Sequence, residues 1–439
     1  MKYSEFLDWM FTLERFGIKL GLDNIIEFER RIGNPHLRFK SIHVAGTNGK
    51  GSVCAFLSEI LLQHGLKVGL YTSPHLVDFR ERIKLNGADI PERDVLRIGM
   101  ELKQVMEEMR AGDPERQLTF FEFTTGLAFK FFEEQGVDIV IAEVGMGGRL
   151  DATNVIVPEV AAITRIGLEH TNYLGKTIPD IAREKAGIVK PGVPLVTCER
   201  KADALSVIST ICARKAAHLR RIGEDFDVDH VRQSLTGTVF DFKGRHFINK
   251  LETRLLGSYQ AENAATAIAV IEDLADRGIK ISDGEIRRGL LSTRWPGRLE
   301  IVSRNPFVMF DGSHNPDGVS TTVRILSELG LTPLTFVLGC MDDKDATGIV
   351  KAIAPSASRV ISTQARYKRA LAVDRLGAIV RENYTGPQSS VTSADVAFAK
   401  AIEESDGKGM CVIGSLYLVG EAIQWWESVG ERFARAHKV

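Results

Sequence analysis

HVAGTNGKGSV, residues 43–53, is the strongest structural signal in this chain of 439 residues. A strand predicted over 41–45 leads into a glycine-rich turn, and an amphipathic helix predicted over 53–63 follows it. Glycines in such a turn let backbone N–H groups close around phosphate oxygens, and the helix N-terminus adds a positive dipole. The segment therefore predicts a phosphate cradle with Lys50 as its mobile cation, against the alternative of an ordinary turn with an incidental lysine. The expected members are Thr47, Asn48, Gly49, Lys50, Gly51 and Ser52.

The turn departs from the common P-loop spacing. Val44 stands where the first glycine is expected, and Gly51 follows Lys50 in place of the usual magnesium-binding hydroxyl. Because open α/β sheets bind ligands at the carboxyl ends of their strands, replacement metal ligands are expected there. Three residues follow predicted strands: Ser73, Glu143 and His170. Taken singly, each also has an ordinary explanation as a turn residue, a strand-end charge or a packed loop histidine.

Short runs of β-branched residues alternate with helical stretches from about residue 40 onwards, which predicts an α/β fold with a mostly parallel sheet. The first predicted strands cover 41–45, 67–71, 138–143, 160–166 and 193–197. Residues 222–256 alternate apolar and polar around a turn at 243–244, which predicts a small antiparallel subsheet at a sheet edge. A Trp-Pro-Gly break predicts two domains, 1–295 and 296–439, of which the second is a smaller Rossmann-like α/β domain with strands over 307–310, 334–338, 359–362 and 410–413.

Composition excludes several classes of protein. Lys and Arg number 56 against 57 Asp and Glu, so no excess of positive charge exists to bind nucleic acid or a membrane surface. The five cysteines form no C-x-x-C pair, which argues against a disulfide framework or a zinc site and favours a reducing cytoplasm. The N-terminus lacks the apolar core of a signal peptide, and no apolar run approaches the roughly 18 residues of a membrane span.

Two further loops contain candidate site residues. GMGG at 145–148 is not a dinucleotide fingerprint, because Leu150 stands where the third glycine is required; its glycines are expected to allow close approach of a substrate. After the strand predicted over 307–310, Asp311, His314 and Asn315 lie on one loop, where they could bind a ribose or phosphate or simply form Asx turns. Arg298, near the domain junction, could reach a bound phosphate or carboxylate.

Several motifs occur in order along the chain and together resemble one known family. They are GTNGKGS at 46, YTSPHL at 71, ERI at 81, FFEFTT at 120, EVGMGGRLDATN at 143, LEHTNYLG at 168, REKAGI at 183, NAATA at 263, WPGRLE at 295, DGSHNPDG at 311 and GSLYL at 414. The set resembles the folylpolyglutamate synthase and dihydrofolate synthase branch of the Mur ligase superfamily, over most of the chain.

The resemblance implies an ATP-dependent amide ligase. A substrate carboxylate would attack the γ-phosphate of ATP, and the amine of L-glutamate would then displace phosphate from the acyl phosphate. Lys50, with Mg²⁺ bound by Ser73, Glu143 and His170, would neutralise the transferred phosphoryl group. Lys185, a lone helix lysine that would ordinarily be solvated, maps onto a carbamylated lysine of the family and implies a second Mg²⁺ site.

The same resemblance assigns roles across both domains. Asn263, Arg298 and Asp311 would contact ATP, and His314 and Asn315 would complete the interdomain cleft. Closure of the domains would exclude water that hydrolyses the acyl phosphate. The residues expected to take part in catalysis are Lys50, Lys185, His170 and His314.

Bifunctional members of the family also join dihydropteroate to its first glutamate, and they resemble this chain in three segments, IKLGLDN, LTFFEF and GGRLDATN. Asp151 could pair with the donor face of the pterin, and Phe121 could pack on its ring. The implied substrates are dihydropteroate or reduced folate, L-glutamate and ATP, bound by a monomer. The implied substrate-binding residues are Leu20, Thr119, Phe120, Phe121, Arg149, Leu150 and Asp151.

Three other functions fit parts of this pattern. A monofunctional folylpolyglutamate synthase would use the same residues to shape the core and the cradle wall. A cell-wall ligase would be expected to carry an N-terminal nucleotide-sugar domain, for which the roughly 40 residues before the cradle strand leave no room. A nucleotide-hydrolysing switch would leave the loop at 311–315 unexplained.

Overall fold

The computed structural model describes residues 1–17, 19, 21–113 and 115–436, and it forms two α/β units. The first is built on an eight-stranded sheet in the order β4-β3-β2-β5-β1-β6-β7-β8, parallel except for the antiparallel β3 and β4. Its strands are Lys40–Ala45 (β1), Val68–Tyr71 (β2), Ile83–Leu85 (β3), Ala88–Asp89 (β4), Ile139–Glu143 (β5), Val160–Ile163 (β6), Leu195–Thr197 (β7) and Leu219–Arg221 (β8). All five strands predicted here are confirmed; β1 begins one residue earlier than predicted, and the other four are shorter.

Helices cover both faces of this sheet. They are Tyr3–Phe11 (α1), Asp23–Arg31 (α2), Lys50–Gln63 (α3), Glu92–Gly112 (α4), Phe120–Gln135 (α5), Thr171–Leu174 (α6), Ile178–Lys185 (α7), Ala202–Arg214 (α8), Tyr259–Ala275 (α9) and Asp283–Ser292 (α10). Ile42 and Val44 of β1 pack with α3 and α9, whereas Val140 and Ala142 of β5 pack with α1, α4 and α5. Because β1 lies between β5 and β6, the segments that follow these three strands meet at one edge of the sheet.

The predicted antiparallel subsheet is confirmed as a sheet of three strands. Asp227–Ser234 (β9), Gly237–Lys243 (β10) and Phe247–Thr253 (β11) pair in the order β11-β10-β9. Phe240, Phe242 and Leu251 are buried against the alanine-rich helix α9. This sheet packs through α9 instead of extending the edge of the eight-stranded sheet.

The second unit contains a six-stranded sheet in the order β12-β13-β17-β14-β15-β16, in which only β12 runs antiparallel to its neighbour. The strands are Glu300–Arg304 (β12), Phe307–Phe310 (β13), Leu334–Leu338 (β14), Ala357–Ser362 (β15), Gln388–Ser390 (β16) and Met410–Ile413 (β17). The helices are Pro316–Glu328 (α11), Ala346–Ile353 (α12), Val373–Asn383 (α13), Ala394–Glu403 (α14) and Leu416–Ala436 (α15). The two-unit α/β prediction is confirmed, although the edge strands β12 and β16 were not predicted.

All five cysteines are buried free thiols. Within the described residues, no helix is both long and apolar enough to cross a membrane.

Candidate active site

The phosphate cradle follows β1, and its glycines touch two other segments of the first unit. A Cβ on Gly46, whose φ is 147°, would lie 1.8 Å from Oγ1 of Thr164. A Cβ on Gly49, whose φ is 99°, would lie 2.6 Å from Oδ1 of Asn263. Both positions therefore require glycine, for conformation and for space.

Backbone hydrogen bonds fasten the turn to the chain that leaves β6. The N–H groups of Thr47 and Asn48 donate to the carbonyl of Arg165, at 2.9 and 3.3 Å. Gly49 caps α3, and the first N–H to donate within the helix is that of Val53, 3.0 Å from the Gly49 carbonyl oxygen. The predicted cradle residues 47–52 line one cavity of about 340 Å³, together with Glu143, Asn263 and Arg298. The helix N-terminus and its first N–H groups thus face a space of a size suited to a nucleotide.

Two lysines converge on the cradle carbonyls. Nζ of Lys50 donates to the carbonyls of Gly46 and Thr47, at 3.2 and 3.3 Å. Nζ of Lys185 donates to the same Gly46 carbonyl at 2.7 Å. Lys185 is only 3% exposed, so the expectation of a solvated helix lysine is wrong. The end of α7 packs against Gly148 of the loop 145–148, and the side chain of Lys185 is directed inward. Burial, and then the charge of Lys50, lowers the pKa of Lys185 to about 7.

Glu143 and Ser73 are in direct contact at the ends of β5 and β2. Oε2 of Glu143 accepts the N–H of Ser73 at 3.0 Å, and the residue as a whole is 5% exposed. Burial raises the pKa of Glu143, while the charge of Lys50 opposes that rise. Glu143 also lines a second cavity of about 350 Å³, with Ser73 and Arg298. The carboxyl group therefore lies between the cradle cavity and this second cavity.

His170 is the N-cap residue of the short helix α6 and has a φ of 50°. Burial lowers its pKa to about 4, so the imidazole is neutral near pH 7 and able to bind a metal. Across the described ranges, no three His, Cys, Asp or Glu side chains surround a common point that could hold a metal. The predicted ligand set contributes only two side chains of these types, Glu143 and His170, with Ser73 as a hydroxyl ligand.

The loop after β13 brings the second unit to the cradle. The Asn315 amide donates to Oδ1 of Asn48 at 3.3 Å, while its own Oδ1 caps α11 through the N–H of Gly318. The carboxylate of Asp311 accepts from the N–H groups of Leu299 and Ser313, at 2.9 and 3.1 Å. Asp311 thus ties the linker to its own loop, whereas Asn315 reaches across the cleft.

Glu169, which was not singled out from the sequence, joins the two units. Nε2 of His314 lies 3.2 Å from Oε1 of Glu169, and Nζ of Lys344 lies 3.7 Å from the same atom. Burial alone would raise the pKa of Glu169, but the hydrogen bond and charge of His314 and the charge of Lys50 hold it well below its usual range. The only signal in the sequence was an acidic residue directly before His170.

The expected pterin-binding residues lie around the glycine loop 145–148. Phe121 stacks with Tyr71 at 6.0 Å, and its ring occupies the space that a Cβ on Gly145 would need. Oδ2 of Asp151 accepts the N–H of Met146 at 2.8 Å, and Oδ1 accepts the N–H of Thr153 at 3.1 Å. Oδ1 also accepts from the Thr153 hydroxyl at 2.5 Å, so Asp151 holds the loop in shape through both of its carboxylate oxygens.

The other expected substrate residues are more dispersed. Thr119 caps α5 in a capping box with Glu122, and Phe120 stacks on Phe11 at 5.4 Å. Arg149 is paired with Glu184 at 2.9 Å, and Leu150 is half-buried. Leu20 lies outside the described residues.

Comparison with known proteins gives matches over most of the chain. Residues 44–271 match the Mur ligase middle domain, and residues 297–416 match the Mur ligase glutamate ligase domain. The dihydrofolate synthase/folylpolyglutamate synthase of Bacillus subtilis is 35% identical over 429 residues, which are 95% of this chain and 98% of that protein.

Two further relatives show the extent of the similarity. A probable bifunctional folylpolyglutamate synthase/dihydropteroate synthase of Haloferax volcanii is 37% identical over 97% of this chain, and the chain spans only 51% of that longer protein. The solved structure of Escherichia coli FolC in complex with DHPP and ADP superimposes with a TM-score of 0.86 at 30% identity, covering 97% of this chain and 98% of that chain.

Proposed function

Because the chain belongs to the folylpolyglutamate synthase and dihydrofolate synthase family of Mur ligases, we propose that it joins L-glutamate to folate precursors at the expense of ATP. The acceptors are dihydropteroate, which yields dihydrofolate, and reduced folates, whose glutamate tail is extended. The products in both cases are the new amide, ADP and phosphate. A monofunctional folylpolyglutamate synthase is the alternative.

One observation carries this proposal. The phosphate cradle opens on one cavity, and Glu143 and Arg298 line both this cavity and the adjacent one. The loop after β13 reaches the cradle through Asn315. A nucleotide phosphate and a second substrate can therefore meet at Glu143, between two domains. This contact across domains disfavours a nucleotide switch, which needs the first domain alone.

The residues support a two-step reaction. A carboxylate oxygen of the acceptor attacks the γ-phosphorus, the bond to the β,γ-bridging oxygen breaks, and ADP leaves. The amine of L-glutamate then adds to the acyl carbon, and loss of phosphate and a proton leaves the amide. Lys50 and the N-terminus of α3 stabilise charge on the transferred phosphoryl group. Domain closure through Asn315 and the Glu169–His314 contact excludes water from the acyl phosphate.

The chemistry of Glu143, Ser73 and His170 suits Mg²⁺. Glu143 and Ser73, which are in direct contact, would supply a carboxylate and a hydroxyl ligand, and His170 would supply a neutral imidazole from the segment after β6, with waters or phosphate oxygens as further ligands. When bound, the ion would neutralise charge on the phosphates. Asn263 and Arg298 line the same cavity and are proposed to contact the nucleotide, with Asp311 holding the linker that carries Arg298.

Lys185 is proposed to carry a carbamate. Its amine is buried beside Lys50, and its lowered pKa leaves much of it uncharged near pH 7. An uncharged amine adds to CO2 and releases a proton, which gives a carboxylate in place of a cation. That carboxylate would be a ligand for a second Mg²⁺ near the Gly46 carbonyl.

Dihydrofolate synthase activity is proposed from the names of the relatives and from the glycine loop. Proteins of Bacillus subtilis and Escherichia coli with this fold are named for both activities. Phe121 and Asp151 contact the loop at 145–148, where a flat ring could approach the backbone, and Thr119 caps the helix that carries Phe121. We further propose that the enzyme works as a monomer in the cytoplasm, which suits its five buried free thiols.

Phosphate release tests the proposed function. Purified protein with Mg-ATP and L-glutamate is compared with dihydropteroate, with tetrahydrofolate and without a pterin, and the products are identified by mass. Turnover with both acceptors supports the bifunctional proposal. Turnover with tetrahydrofolate alone would leave a tail-lengthening synthase and remove the pterin role of Asp151, and turnover with neither would contradict the ligase assignment.

A further inference from the structure

A third cavity of about 560 Å³ lies between the two units and is not used by the proposed mechanism. Phe11, His75 and Arg82 line it from the first unit, and Tyr367 and Tyr417 from the second. Two of the sequence motifs, ERI at 81 and GSLYL at 414, contribute Arg82 and Tyr417 and have no role so far. Leu76 and Val77 line both this cavity and the one that contains Ser73 and Glu143. The third cavity is therefore an extension of the candidate active site.

Arg82 is a buried cation without a balancing carboxylate. It is 7% exposed, and among the described residues no Asp or Glu oxygen lies within 4.0 Å of its guanidinium. Its Nε donates to Nδ1 of His75 at 2.8 Å, and its guanidinium lies 5.2 Å from the centre of the Phe120 ring. Burial, and then the charge of Arg82, lowers the pKa of His75 to about 3. The neutral imidazole therefore accepts a hydrogen bond from Arg82 but does not balance the positive charge of the guanidinium. A guanidinium remains charged when it is buried.

Within the part of the chain that the structure describes, the two terminal nitrogens of this guanidinium donate to no side chain or carbonyl. The hydrogen bond to His75 uses Nε and leaves the planar fork of Arg82 for a bidentate partner. On the far wall, the rings of Tyr367 and Tyr417 stack at 3.9 Å and 12°. The cations at the mouth already have partners, since Arg366 bonds Glu421 and Lys368 bonds Glu14. Among the described cations of this cavity, Arg82 is thus the one without a carboxylate within 4.0 Å, and a carboxylate matches its geometry.

We propose that Arg82 binds a non-reacting carboxylate of a glutamyl group, either of the incoming L-glutamate or of the folate tail. This inference rests on the proposed function. The reacting carboxylate must lie at the cradle with Lys50, whereas Arg82 lies beyond Leu76 and Val77 in the adjoining cavity. Dihydropteroate has only one carboxylate, and it is the one that reacts. A carboxylate on Arg82 therefore comes from glutamate itself or from a glutamate already attached.

Steady-state kinetics of the full-length enzyme distinguish the two sources. KM values for L-glutamate, dihydropteroate and tetrahydrofolate are measured at saturating Mg-ATP for wild type, Arg82→Lys and Arg82→Met. Loss of a charge-assisted bidentate hydrogen bond is expected to raise the relevant KM about 10- to 100-fold. A rise for L-glutamate with both acceptors assigns Arg82 to the incoming amino acid. A rise for tetrahydrofolate, with unchanged values for L-glutamate and dihydropteroate, assigns it to the tail.

A matched control is available at the mouth of the same cavity. Arg366→Met removes the same charge from a side chain that is 67% exposed and already paired with Glu421, so no KM should change more than about 2-fold. Thermal melting shows whether each variant is folded. If Arg82→Met does not fold, His75→Ala removes the acceptor that orients Arg82 and should raise the same KM to a smaller degree.

Unchanged KM values for all three substrates in folded Arg82 variants would overturn the inference, whether or not kcat falls. A wild-type enzyme that releases no phosphate with either acceptor would instead contradict the proposed function. In that case calorimetric titration with γ-glutamylglutamate tests the site without turnover. Binding to wild type that is lost in Arg82→Met supports the inference, whereas equal binding or absence of binding overturns it.

Discussion

Replacement of Lys50 by alanine removes the cation that is expected to face the transferred phosphoryl group. Nζ of Lys50 donates to two neutral carbonyls, at 3.2 and 3.3 Å, and the side chain is half-buried. Its contribution to folding is therefore small, about 1 kcal/mol for hydrogen bonds of this kind. Its contribution to the reaction is larger, because charge develops on the phosphoryl oxygens at the place where Lys50 lies.

The expected loss can be worked out from comparable sites. Removing one fixed donor from a developing anion costs about 2.7–4 kcal/mol, so kcat for Lys50→Ala should fall about 10²- to 10³-fold. The melting temperature should change by only a few degrees. Because the charge of Lys50 contributes to the lowered pKa of Lys185, the variant should also make Lys185 more basic.

The assay is phosphate release with Mg-ATP, L-glutamate and tetrahydrofolate, at saturating substrate, together with thermal melting. Lys67→Ala is a matched control, because Nζ of Lys67 also donates to a backbone carbonyl, that of Gln135, on the surface of the first unit. Its kcat should stay within about 2-fold of wild type. A folded Lys50→Ala enzyme with near-full kcat would refute the phosphate-cradle assignment.

Three further outcomes are expected. Ser73→Ala should shift the Mg²⁺ titration of activity to higher concentration, because a hydroxyl ligand beside Glu143 is lost; an unchanged titration would remove Ser73 from the metal site. Gly49→Ala should raise the KM for ATP at least 10-fold, because the new Cβ would lie 2.6 Å from Oδ1 of Asn263 and the left-handed backbone adds about 1–2 kcal/mol of strain. Calorimetry of nucleotide binding measures the change, and wild-type affinity for ATP would contradict the prediction. Removal of CO2 from the buffer should lower activity, and added bicarbonate should restore it. The recovery should be greater above pH 7 than below, because the Lys185 pKa of about 7 leaves the amine uncharged above that pH. Activity that does not depend on CO2 at any pH would argue against the carbamate.

The local sequence pattern was sufficient to predict the strand and the helix that flank the cradle. The strand–turn–helix of residues 41–63 needs only a β-branched run, glycines and an amphipathic period, and all three are visible in the sequence. The helix nevertheless begins at Lys50, three residues before the predicted start, because Gly49 caps it in a left-handed conformation. The strands β12 and β16 were not predicted, since their edge positions leave them partly exposed without a clear apolar alternation.

What the sequence by itself determined is the fold class, the cradle and, through eleven ordered motifs, the family. What only the tertiary structure decided is which charged groups share one environment. Lys185 is buried against Gly46, Glu169 joins His314 across the domains, and Arg82 has no carboxylate partner among the residues that the structure describes. These properties depend on segments far apart in the chain, and burial and unpaired charge arise only when such segments pack together. Periodicity and spacing describe one segment at a time, so they cannot contain that information.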